Sequence, residues 1–174
     1  MLGLCLEELG RDLEWWLSPY EDSDWAGDQD QRLSITRLVI YLMGAPVLWK
    51  SRAQKNITLS STEAENVSLS EFVAEIMFIK QILELLGLKV KYPIYMNIDI
   101  VSMIFLANNE MAGQKMKHID VHSHYVCEFI EDGVVKIVFV KSVENQADIF
   151  TKNTNINTFE GHVNKMMGRS LMMT

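Results

Sequence analysis

Residues 60–99 read SSTEAENVSLSEFVAEIMFIKQILELLGLKVKYPIYMNID, and the order of the signals in this stretch decides the fold. Ser60-Ser61-Thr62-Glu63 is a capping-box sequence, and Thr62 with Glu65 offers the same box two residues on. Leu69, Phe72, Val73, Ile76, Ile79, Leu83 and Leu86 then recur at helical spacing, which predicts one apolar helix face. Gly87 stands where a left-handed C-terminal cap belongs. Pro93 leads into Ile94 to Ile98, a short apolar run that reads as a strand ending at Asp99. A long helix feeding a strand is the repeating unit of an α/β domain.

The flanks extend this pattern. Leu13 to Trp25 has strand character around Trp15, Trp16 and Leu17, then turns acidic at Glu21-Asp22-Ser23-Asp24. Leu38 to Leu42 and Val47 to Trp49 are β-rich runs separated by Met43-Gly44-Ala45-Pro46, a hairpin signature. Ile57 to Leu59 reads as a third short strand beside them. Beyond Asp99, a short helix is expected over Ser102 to Asn108 and another over Lys115 to Asp132, closed by Asp132-Gly133. Val134 to Val140 reads as a buried strand, and Asn145 to Thr151 as the start of a final helix. A mixed sheet with helices packed on its faces satisfies this order. The expected division is an irregular segment over residues 1–16, one domain over 17–153 and a tail or helix over 154–174.

Composition narrows the function. With 48% apolar and 22% charged residues, the 174-residue chain can bury a core without disulfide or metal staples. Its two cysteines, Cys5 and Cys127, lie far apart and read as reduced thiols of an intracellular protein. No apolar run is long enough to span a membrane, and the acidic start MLGLCLEELGRDLE argues against secretion. A formal charge of −7 argues against a protein that merely coats nucleic acid, which needs a dominant basic surface. It leaves room for a protein whose carboxylates hold divalent cations and whose local basic patch grips phosphates.

Four carboxylates occupy suggestive positions. Asp22 and Asp99 fall at strand ends, where open α/β sheets bind ligands. Glu65 falls in the first turn of the long helix and Asp148 near the start of the last, where negative charge is tolerated. If they converge, their mutual repulsion requires cations, and hard oxygen donors suit Mg²⁺ or Mn²⁺. Two such ions, roughly 3.5–4 Å apart, would activate water and stabilise the leaving oxygen of a phosphodiester. Among 23 acidic residues, spacing alone leaves many other quartets open.

A set of ordered motifs selects among them. Tyr20-Glu21-Asp22-Ser23-Asp24-Trp25-Ala26-Gly27-Asp28 is similar to the pattern YSDADWAGD. Trp49-Lys50-Ser51 with Gln54 is similar to WKSKKQ, and Leu59-Ser60-Ser61-Thr62-Glu63-Ala64-Glu65 to LSTTEAE. Lys117-His118-Ile119-Asp120-Val121 with His124 is similar to KHIDVRYH, and Gln146-Ala147-Asp148-Ile149-Phe150-Thr151-Lys152 to QLADIFTK. From about Leu17 to Gly168 the chain resembles the ribonuclease H domain at the C-terminal end of copia-type LTR retrotransposon polyproteins. The resemblance implies a ribonuclease H-like fold and two-metal endonucleolytic hydrolysis of the RNA strand of RNA–DNA hybrids. It assigns Asp22, Glu65, Asp99 and Asp148 as ligands of two Mg²⁺ or Mn²⁺ ions. It also implies the reverse transcriptase portion of a parent polyprotein as a partner, the chain being a fragment or remnant of that polyprotein.

The departures cluster around this site. Pro19 stands where the family has Gly, and the RSTSG tract has become Arg32-Leu33-Ser34-Ile35-Thr36-Arg37. Asn66 replaces the Tyr after EAE, DNQSA reads Asp99-Ile100-Val101-Ser102-Met103, His122 replaces Arg, and Asn153 replaces Pro. All four carboxylates survive, so the alternative is a drifted, catalytically silent copy, or one co-opted to bind nucleic acid or protein. Candidate nucleic-acid contacts are Trp49 with Lys50, Arg52 and Lys55, by stacking and point charge, and Lys117 with His118; a solvated hairpin edge is the alternative for the first group. Zinc binding by His118, His122 and His124 lacks a second Cys/His pair to complete four ligands.

Overall fold

The computed structural model describes residues 13–24, 34–54, 61–98, 120–150 and 156–166. Strands β1 (Glu14–Trp15), β2 (Leu17–Asp24), β3 (Ile35–Leu42) and β4 (Ala45–Ala53) come first. Helix α1 (Ser61–Leu85), β5 (Lys89–Val90) and β6 (Ile94–Ile98) follow, then α2 (Asp120–Glu131), β7 (Val135–Phe139) and α3 (Ile156–Met166). Short 3-10 turns at Ser142–Glu144 and Gln146–Phe150 separate β7 from α3. The main sheet has the order β4-β3-β2-β6-β7, antiparallel across β4, β3 and β2 and parallel across β2, β6 and β7. This is the mixed α/β sheet flanked by helices that the order of elements in the sequence predicts. Among the described residues no helix is long and apolar enough to cross a membrane.

Alternation along β3 explains the layers. Leu38 and Ile40 point to one face, where they meet Leu69, Phe72, Val73 and Ile76 of α1, Val126 of α2, and Ile94, Met96 and Ile98 of β6. Val39 and Tyr41 point to the other, where Ala147, Tyr20, Phe150 and Met166 cover them. Every interior position of β3 is therefore buried. Helix α1 follows the sequence periodicity, with Leu69, Phe72, Val73 and Ile76 fully buried. Each such apolar side chain contributes roughly 1.5–3 kcal/mol of transfer free energy. Its end is a two-bond Schellman closure: Leu88 N–H donates to the Leu83 carbonyl and Gly87 N–H to that of Glu84, each at 2.9 Å. Gly87 takes φ +74°, a conformation that a Cβ would strain. Leu86 falls past the helix end and is exposed instead of joining the core.

Several expectations change. The hairpin turn is only Met43-Gly44, both at positive φ, as tight hairpins require. Ala45 and Pro46 thus belong to β4, whose register slips at Ile40/Tyr41. Pro46 is tolerated because β4 is an edge strand. Residues 14–15 are not irregular: β1 pairs in parallel with β5. The strand at Val135–Phe139 is not buried throughout, because as the other edge it leaves Val138 and Phe139 partly exposed. The final segment starts as a 3-10 turn, and α3 begins only at Ile156. The strand expected at Ile57 to Leu59, the helix expected at Ser102 to Asn108 and the start of the one expected from Lys115 lie outside the described residues.

Pro19 sits in the central strand β2 and has no N–H for a ladder bond. Its carbonyl accepts instead from Asn97 Nδ2 of β6 at 3.0 Å, beside the Tyr20–Asn97 pairing. On the second face Tyr20 and Tyr41 meet edge to face, centroids 5.9 Å apart. Burial, and then the neighbouring Tyr20, push the Tyr41 phenol up to about 12. The unfolded chain releases this proton near pH 10 while the folded chain keeps it. Stability therefore falls as pH rises from about 10 to 12. The Tyr41 hydroxyl has no hydrogen-bond partner among the described residues. Tyr41→Phe is expected to leave the Tm at pH 7 unchanged or slightly raised and to flatten its decline above pH 10, measured by thermal melts across pH.

Candidate active site

Strand alternation separates adjacent acidic residues. Glu21 shares the Leu17 face and is fully buried against α1, where Ser68 Oγ donates to its Oε1. Asp22 shares the Tyr20 face, with the 3-10 turn, and is 5% exposed. Its direct antiparallel partner is Arg37. Arg37 Nη1 stands 3.7 Å from Asp22 Oδ2, with both side chains buried. Their gross attraction is about 4 kcal/mol at an effective dielectric of about 20. It works against the loss of hydration both charges suffer on burial.

Asp148, 6% exposed, lies in the turn Gln146–Phe150, which packs on β2 and β3. Asn145 fixes that turn. Its Oδ1 accepts from Ala147 N–H at 3.1 Å, and its Nδ2 donates to the Glu21 carbonyl at 2.8 Å. A fully buried amide thus ties the Asp148 turn to the strand that bears Asp22. Burial, and secondarily the Glu144 carboxylate, push the Tyr20 phenol up, so a neutral hydroxyl lies two residues before Asp22.

The structure places Asp22 and Asp148 on adjoining elements and Glu65 in the opening turns of α1, one turn before Ser68. Asp99 lies outside the described residues. Among the described residues no three His, Cys, Asp or Glu side chains form a metal-binding group. Asp22 and Asp148 carry hard oxygen donors of the kind Mg²⁺ and Mn²⁺ take.

The expected basic patch divides. Lys50 is paired with Leu38 and lies on the α1 side, where it forms an ion pair with Glu75. Arg52 shares that side and helps line a groove of about 150 Å³ with Thr36, Glu71 and others. Trp49, paired with Val39, projects from the opposite face and is 58% exposed. Lys55, Lys117 and His118 lie outside the described residues.

Sequence reasoning noted Arg37 only as a departure near the site. It missed Asn145, Glu21 and Ser68. An Asn immediately before a turn, placed to accept from the N–H two residues on, is a recognisable capping signal, whereas the Ser68–Glu21 bond needs the folded structure to be seen.

No family model matches the chain. It is 39% identical over 145 residues to the Retrovirus-related Pol polyprotein from transposon TNT 1-94 of Nicotiana tabacum, covering 83% of this chain and 11% of the relative. It is 32% identical over 150 residues to the Pol polyprotein from transposon RE1 of Arabidopsis thaliana, covering 86% of this chain and 10% of the relative. Among solved structures, the native protease–reverse transcriptase of prototype foamy virus aligns with 94% of this chain and 22% of its own, at 14% identity and a TM-score of 0.39.

Replacing Asn145 by Ala leaves the Glu21 carbonyl and the Ala147 N–H buried without this partner. Urea unfolding is expected to show a loss of about 2–4 kcal/mol, with Asn145→Asp intermediate because it keeps the acceptor. The chain spans about a tenth of the length of these relatives, and it belongs to the copia-type retrotransposon Pol polyproteins.

Proposed function

We propose that the chain acts as a ribonuclease H, hydrolysing the RNA strand of RNA–DNA hybrids inside the cell, in a cytoplasmic particle or the nucleus. The observation that carries this reading is a pair of buried carboxylates, Asp22 and Asp148, far apart in sequence and linked through Asn145. In this reading Asp22, Glu65, Asp99 and Asp148 would hold two Mg²⁺ or Mn²⁺ ions. Bound there, the ions would lower the pKa of water and stabilise charge on the leaving oxygen.

The chain's own residues supply position. Asn145 holds the Asp148 turn on β2, and the Ser68–Glu21 bond holds α1 against that strand. Exposed Trp49 offers a stacking surface. Arg52 offers a phosphate contact on the other side of the hairpin, with Lys55, Lys117 and His118 as further contacts by the motif resemblance. The reverse transcriptase portion of the parent polyprotein would present the hybrid. A second reading, a silent copy that retains only the fold or some nucleic-acid affinity, is favoured by one observation: the Arg37 guanidinium beside Asp22.

The test is cleavage of an end-labelled RNA–DNA hybrid with Mg²⁺ and, separately, Mn²⁺. Metal-dependent scission of the RNA strand is expected. Asp22→Asn and Asp148→Asn should each lower it by more than about a hundredfold, since even the outer partners of metal ligands are worth about 10–100-fold. Cleavage that persists in both variants overturns the assignment of these carboxylates.

A further inference from the structure

Arg37 places a permanent charge on the carboxylate that the functional reading gives to a cation. The antiparallel register sets its backbone directly across from Asp22, and its 4% exposure keeps it from relaxing into solvent. Its Nη1 faces Oδ2, an oxygen that a metal ion at Asp22 could use. Two positive charges sharing one buried carboxylate repel strongly, because little water screens them.

We propose that Arg37 is a built-in counter-ion, held by β3, which occupies the charge position of a divalent cation at Asp22 and lowers the affinity of the site for that cation. The inference rests on the reading of Asp22 as a metal ligand and deepens it. The fold then needs no metal to neutralise Asp22. A cation must displace the guanidinium, or bind more weakly and lean on the remaining carboxylates.

The test is a Mn²⁺ titration, with free Mn²⁺ read by electron paramagnetic resonance, on the wild-type chain, Asp22→Asn, Arg37→Met, Arg37→Gln and the double variant Asp22→Asn/Arg37→Met. Circular dichroism checks that each folds. Arg37→Met keeps the apolar stem and Arg37→Gln keeps a polar head, so two shapes guard against loss of fold. Each Arg37 variant is expected to bind Mn²⁺ at least tenfold more tightly than wild type and to gain more in Tm when Mn²⁺ is added. The double variant should lose that gain.

Tight binding by the wild-type chain that Asp22→Asn abolishes overturns the counter-ion role while upholding the metal site. That measurement needs no Arg37 variant to fold. Equal Asp22-dependent affinity in wild type and the Arg37 variants has the same consequence. Binding that is indifferent to both positions overturns the metal site and the inference together.

Discussion

A carboxylate withdrawn from water must be matched by positive charge or by donors, and the centre of this sheet obeys that constraint at Glu21 and at Asp22. Strand β3 is covered on both faces, so whatever projects from it or from the adjoining part of β2 is removed from solvent. Apolar residues gain from this. Polar ones need partners, and three pairs supply them: Glu21 with Ser68, Thr36 with Gln54 at 3.1 Å, and Asp22 with Arg37. Period-2 alternation sends Glu21 to the α1 side and Asp22 to the side of the 3-10 turn, so neighbours in sequence answer to different surroundings.

The turn at Gln146–Phe150 shows how a short irregular segment is made rigid. A 3-10 turn is poorly stabilised by itself. Here Ala147 enters the second core beside Val39 and Tyr41, while Asn145 bonds both into the turn and across to β2. Asp148 therefore inherits its position from the sheet. A site carried by a turn is as well defined as the surface the turn is bonded to.

The parts of the fold that rest on local chemistry were legible in the sequence. Helix α1 could be read from its apolar spacing and from Gly87, because helical periodicity and a left-handed cap are properties of consecutive residues. The parts that rest on tertiary context were not. Nothing local distinguishes the 3-10 turn at Gln146 from the first turn of an α-helix, and its docking on β2 and β3 is visible only when folded. Trp49 and Lys50 read as one patch because they are adjacent, yet adjacency in a strand means opposite faces. The weight of Arg37 depends on register: one residue of slip would have sent it to the α1 side, away from Asp22.

Carrying carboxylates in the motif positions and having them free to bind a cation are therefore separate properties. The motifs speak to the first, because they record which residues are present. The second depends on the charge around each carboxylate, which no single motif contains. An acidic cluster without a cation is strained by its own repulsion, and a chain can relieve that strain by binding metal or by supplying an arginine. The arginine costs only a change at the cross-strand position and leaves every carboxylate in place. A sequence that takes this route keeps all four carboxylates in its motifs, and the buried Asp22–Arg37 ion pair is the contact by which this chain would do so.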